Sequence, residues 1–234
     1  YNLDGSDESL PVRLSLGSPM PLHPVSSRYG TIASSLSIAD SLQIITYPHP
    51  TLRRRSRDLV RVDAELKRIA ARMFELMYQA KGIGLAANQV GLPIRMFVMN
   101  LEGKAGEGEE LVLLNPVLSR PKGNATMEEG CLSLPSVFEQ VTRPKQITLD
   151  AYDLTGRQIQ GTLDGMMSRC VQHEVDHLDG VLFIDRLTET GKLQVDGALE
   201  EFEIDFDSRR NTGSIPDDEA IEAFCREIDA RYCS

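Results

Sequence analysis

The stretch Gln172-His173-Glu174-Val175-Asp176-His177-Leu178-Asp179-Gly180 constrains the fold more than any other part of the chain. If it is helical, His173 and His177 stand at i and i+4, one turn apart on one face, so both imidazoles reach a single cation. Glu174, the next residue round the helix, then faces a water on that cation rather than ligating it. Met166, Cys170, His173, Glu174 and His177 share the face, which makes an apolar stripe interrupted by residues of ligand type. Thr162 and Asp164 are available as N-caps and Gly180 as a C-terminal stop. The remainder of the chain then reads as scaffold and pocket built around this helix. The plainer alternative is a solvated charged turn whose histidines pair only with neighbours.

With 234 residues, of which 41% are hydrophobic and 26% charged, the chain can bury one sizeable core. A formal net charge of -10 argues against a nucleic-acid partner held through its phosphates. No apolar run approaches the roughly 18 residues of a membrane span, so no membrane role is expected. The four cysteines, Cys131, Cys170, Cys225 and Cys233, are too few and too irregular for a disulfide framework, which points to an intracellular setting. Near Tyr1 the acids Asp4, Asp7 and Glu8 stand without Lys or Arg, unlike a secretory or transit segment. The expected location is cytoplasmic, or organellar if a targeting segment stood upstream of Tyr1.

Residues 1–40, rich in Ser, Pro and Gly, read as a loosely structured N-terminal extension. Residues 41–197 are expected to form the catalytic domain. Residues 198–234 read as an acidic C-terminal tail with a helix near 215–231 that packs on the core or on a partner. Within the middle region, Asp63 caps an amphipathic helix carrying Leu66, Ile69, Ala70, Met73, Met77 and Ala80, which ends at Gly82. Gly82 to Gly91 is a small-residue stretch suited to close approach of backbone to a ligand. A nucleotide loop is a poor match, because the third glycine of that pattern is Ala87 and no strand precedes it. Strands are expected at 96–99, 111–114, 116–119, 146–152 and 158–163. His49, between Pro48 and Pro50, reads as a turn histidine. The fold class is therefore α+β, with antiparallel β-sheets surrounding a central helix that carries the two histidines, plus a C-terminal helix.

A hydrolytic metal site takes three protein ligands and keeps one position open. The longer H-E-x-x-H-x-x-G-x-x-H pattern is met as far as Gly180 and fails at Phe183. Glu189, Glu200, Glu201 and Glu203 would serve a thermolysin-like set, although the last three lie in a run of charge that reads as a solvated face. Cys131, in Glu128-Glu129-Gly130-Cys131-Leu132-Ser133-Leu134-Pro135, is the better candidate, set against its reading as a buried structural thiol.

Three separated stretches, Gly82-Ile83-Gly84-Leu85-Ala86-Ala87-Asn88-Gln89, Glu129-Gly130-Cys131-Leu132-Ser133 and Gln172-His173-Glu174-Val175-Asp176-His177, resemble in order the three signature motifs of peptide deformylases. Tyr47 to Arg53 and Leu178 to Phe183 resemble the flanks, so the likeness covers about residues 43–188. The resemblance implies a metal-dependent hydrolase that removes the formyl group from N-terminal formyl-methionine and releases formate. Its substrates would be N-formyl-methionyl peptides and nascent chains, with ribosome association as a further expectation. It also implies that Cys131, His173 and His177 hold one divalent ion per chain, Fe2+ in the cell, with Zn2+, Ni2+ or Co2+ as substitutes. Glu174 would move the proton, while the Gln89 side chain and the Leu132 backbone N–H would donate to the oxyanion. Ile83, Gly84, Met127, Glu129, Gly130 and Cys170 are the implied substrate-binding residues, with Glu129 alternatively paired to Arg143, and Arg169 is a further candidate to face substrate. Two rivals stand beside this reading, a zinc endopeptidase using a downstream Glu and a metal-binding protein without turnover.

Overall fold

The computed structural model describes residues 15–19 and 37–234. In chain order the elements are β1 (Ser15–Pro19), α1 (Ile38–Ser41), α2 (Ala64–Gln79), β2 (Gly84–Ala86), β3 (Met96–Met99), β4 (Leu111–Lys122), β5 (Ala125–Cys131), β6 (Leu134–Arg143), β7 (Gln146–Tyr152), β8 (Arg157–Leu163), α3 (Gly165–Leu178), α4 (Glu189–Asn211) and α5 (Asp218–Tyr232). Six strands make one antiparallel sheet in the order β1-β8-β7-β4-β3-β2, and β5 with β6 forms a separate hairpin. The expected α+β architecture is present, with α3 packed on one face of the sheet through Ala86, Phe97 and Met99 and joined to the hairpin through Arg169 and His173, while α2 covers the opposite face.

α2 begins where Asp63 accepts the Leu66 N–H at 2.7 Å, and its Leu66, Ile69, Met73 and Met77 are completely buried. They pack against Leu85, Met96 and Val98 of the sheet and against Ile228 and Tyr232 of α5. α5 is thus part of the core. Its narrow stripe Cys225, Ile228 and Tyr232 is buried, and the Tyr232 carbonyl accepts the Val60 N–H at 2.9 Å. Ile228→Ala is expected to destabilise the protein by about 2–5 kcal/mol, read as a lowered denaturant midpoint. An unchanged midpoint would show that α5 only rests on the surface.

The strands expected at 111–114 and 116–119 are one strand, β4, and β2 and the β5–β6 hairpin are additional to the sequence reading; two further departures lie toward the ends of the chain. Ser15–Pro19, inside the expected loose extension, adds an edge strand to β8, with Ser15 opposite Gln160 and Leu16 opposite Ile159. Residues 1–14 and 20–36, on which the rest of that expectation falls, lie outside the described residues. The stretch ahead of the expected tail helix is itself helical. α4 is capped by Thr188 and holds Val195 against the hairpin, with Leu199 and Phe202 partly buried beside it. Gly191 and Gly197 and the run of acids conceal that stripe in the sequence.

Candidate metal centre

α3 is buried on every side from Ser168 to Leu178, although seven of those eleven residues are polar or charged. Such a helix is stable inside a fold only if each polar group finds a partner. Its end is fixed by a paired turn, in which the Gly180 N–H reaches the His177 carbonyl and the Val181 N–H reaches the Asp176 carbonyl, both at 2.9 Å. That closure needs a left-handed residue after the cap, and Gly180 has φ +76. A side chain at Gly180 would also meet the Arg53 carbonyl oxygen at 2.5 Å.

Cys131, at the end of β5, His173 and His177 present donor atoms within 4.8 Å of one another. Cys131 Sγ lies 3.2 Å from His177 Nε2, and the two imidazoles meet edge to face. The backbone N–H of Ser133 and Nε2 of Gln89, each 3.4 Å from Sγ, are placed to stabilise a thiolate. One thiolate and two imidazoles fit a divalent ion of borderline softness. Electrostatics agree: burial works against charge on His173, but hydrogen bonds with Cys131 and Glu129 lift its pKa to about 10. The site therefore favours positive charge. Burial, followed by the charge of His173, holds His177 well below the usual range, in the neutral form that ligates metal.

Behind the donor cluster, Glu129 is fully buried and lies 3.1 Å from His173 Nδ1, which leaves Nε2 as the candidate ligand atom. Arg143 donates two hydrogen bonds to this carboxylate, at 2.6 and 2.9 Å, and Arg169 donates another. Arg143 also reaches Asp176 at 2.6 Å, and Asp176 is held in turn by Arg186. Burial alone would raise the Glu129 pKa, but its hydrogen bonds to His173 and Arg143 keep it far below the usual carboxylate range.

In front of the ligands lies a cleft of about 580 Å³ lined by Ile83, Gly84, Gln89, Gly130, Cys131, Leu132, His173 and Glu174, with Ile44, Lys81, Pro135 and Phe138 toward its mouth. Glu174 is buried, burial lifts its pKa to about 7, and its Oε2 has no partner among the described residues. A carboxyl poised near neutrality can both take and give a proton. Gly84 makes room for it, since a Cβ there would stand 2.3 Å from Glu174 Oε1. Gln89 is fixed by the Ala86 N–H, which donates to its Oε1 at 2.8 Å and turns Nε2 toward Cys131 and Ser133. A second cleft of about 750 Å³, bounded by Arg55, Arg57, Arg95 and Asp179, holds none of these groups.

Four candidates fall elsewhere than the sequence suggested. The Glu129 carboxylate is bonded to His173 and, as the alternative anticipated, to Arg143, and Glu129 is not among the residues lining the cleft. Arg169 is turned the same way, donating to Glu129 and to the Val141 and Ala125 carbonyls. Met127 is 40% exposed on the hairpin and is not among the residues lining the cleft. Cys170 is completely buried beneath Gly84. Glu189, Glu200, Glu201 and Glu203, the ligands a thermolysin-like site would need, lie exposed on α4 and outside the donor cluster. The sequence assigns no role to Ser133 or Asn88, yet Ser133 holds Gln89, and Asn88 donates to the His177 carbonyl. Only their position inside the first two motifs could have signalled them.

A family model described as polypeptide deformylase matches residues 41–193. A peptide deformylase of Rhodopirellula baltica is 55% identical over 191 residues, covering 82% of this chain and 95% of that protein. Peptide deformylase 1B, chloroplastic/mitochondrial, of Arabidopsis thaliana is 38% identical over 192 residues, covering 82% of this chain and 69% of that one. Among solved structures, a plant peptide deformylase PDF1B superposes with a TM-score of 0.71 at 36% identity, covering 82% of this chain and 99% of that chain. A peptide deformylase from Plasmodium falciparum gives 0.69 at 39% identity, covering 71% and 98%.

Proposed function

Because the chain belongs to the polypeptide deformylase family, we propose that Cys131, His173 and His177 hold its metal ion, that Glu174 moves the proton and that Gln89 and Leu132 bind the oxyanion. The family's reaction is the metal-dependent hydrolysis that removes the N-formyl group from the amino terminus of newly made polypeptides, and this protein is such an enzyme. The observation that carries the residue assignment is the meeting of the three-donor cluster, of which Cys131 and His173 line the cleft, with a buried Glu174 whose Oε2 has no partner among the described residues.

When bound, the divalent ion acidifies a water and polarises the formyl oxygen. Glu174 Oε2 accepts the proton of the attacking water and delivers it to the departing nitrogen, giving formate and a free amine. Gln89 Nε2 and the Leu132 N–H are the donors for charge that grows on the formyl oxygen. Ile83, Gly84, Gly130 and Leu132 supply the apolar wall for the methionine side chain. β2 is the last strand of the sheet and borders the cleft, so its free edge suits backbone pairing by an extended peptide.

The ion we assign is Fe2+, with Zn2+, Ni2+ or Co2+ as substitutes, since a thiolate with two imidazoles accepts all of them. Residues 41–197 are assigned as the catalytic domain. No helix among the described residues is long and apolar enough to cross a membrane. The compartment we assign is the bacterial-type cytoplasm, or an organelle if a targeting segment precedes Tyr1, and ribosome association belongs to the same proposal. The test is formate release from a formyl-Met peptide by protein loaded anaerobically with iron. Chelation is expected to abolish turnover, and Cys131→Ala to lose both metal and activity. Retention of metal and activity by Cys131→Ala would instead support an endopeptidase with a downstream Glu ligand.

A further inference from the structure

We propose that Lys81 makes this enzyme favour peptides with an acidic side chain close after the formyl-methionine, an inference that rests on the deformylase reading. α2 ends in a paired turn in which the Lys81 N–H reaches the Tyr78 carbonyl at 3.0 Å and the Gly82 N–H reaches the Met77 carbonyl at 2.8 Å. The residue at the bend of such a turn is left-handed and usually glycine. Here it is Lys81, with φ +58. An L side chain is held there against a steric penalty, and residues held so gather at functional sites.

The position is at the mouth of the cleft, and Lys81 is exposed. Its ammonium has no ion pair or hydrogen bond among the described residues. The other charged residues of the cleft, His173 and Glu174, lie buried at its floor, and the rest of the mouth, including Ile44, Pro135, Ser136 and Phe138, carries no charge. In a chain of net charge -10 this is an isolated cation beside a peptide path. With the formyl group at the metal ligands, the residues after methionine leave the floor and pass over the mouth. A carboxylate on one of them meets an ammonium with no competing partner.

The experiment compares formyl-Met peptides, all amidated at the C-terminus, that carry Asp or Glu against Asn or Gln at the two positions after methionine. The expected result is a two- to fivefold advantage in kcat/KM for one acidic position, the range of an exposed ion pair, expressed in KM and shrinking as salt is added. Lys81→Gly, which relieves the backbone, is expected to fold at least as stably and to lose the advantage, and Lys81→Glu to reverse it. Equal kcat/KM for acid and amide in the wild-type protein, or an advantage that persists in Lys81→Gly, overturns the proposal. If the wild-type protein releases no formate from any of these peptides, the deformylase reading itself fails.

Discussion

Glu174→Ala is expected to lower kcat by about a hundred- to ten-thousandfold while the purified protein still carries one metal ion per chain. Glu174 is not one of the three clustered donors, and its Oε2 makes no bond that the fold depends on. Removing it therefore takes away the proton carrier and leaves Cys131, His173 and His177 in place. The check is metal content by elemental analysis beside single-turnover formate release. If metal content collapses together with activity, Glu174 helps to hold the ion and the assigned role is wrong.

The largest effect on stability is expected at Glu129. Glu129→Gln strips the charge from a buried carboxylate that pairs with Arg143, Arg169 and His173. Breaking a buried ion pair from one side strands its partners without compensation and costs about 3–5 kcal/mol. The denaturant midpoint should fall accordingly. Metal affinity should drop about 10- to 100-fold, because His173 loses the group that fixes its ring. Removing Arg169 as well should recover part of the stability, since one stranded charge goes with it. A wild-type midpoint for Glu129→Gln would mean that the carboxylate is solvated and not the keystone of this cluster.

What the sequence could and could not show follows from how far apart the interacting residues lie. α2 was legible because Leu66, Ile69, Met73 and Met77 repeat with helical spacing, and all four are fully buried. β7 and β8 were legible from alternation on either side of the Asp153-to-Gly156 turn. The β5–β6 hairpin was not, since Met127 and Phe138 are exposed apolar residues and break the inside-outside pattern. The role of Glu129 was hidden for a different reason. Its arginines lie 14 and 40 residues away, so only the folded chain tells whether the carboxylate faces the cleft or supports it from behind. The family resemblance implied the ligand set and the catalytic residues proposed above, and it also implied Met127 and Cys170, which are not among the residues lining the cleft.

The close contact between Gly84 and Glu174 bears on how an enzyme of this design can be lost. A single methyl group added at Gly84 would stand within 3.0 Å of Cys170 Sγ and closer still to the carboxylate. None of the three side chains proposed to hold the metal is among the atoms it would strike first. On the proposed roles, such a change is expected to displace the base and spare the ion, giving a folded metal binder that no longer turns over. The rival reading of a metal-binding protein without catalysis is thus a near mutational neighbour of this enzyme, one small substitution away in a strand that carries none of the H-E-x-x-H residues.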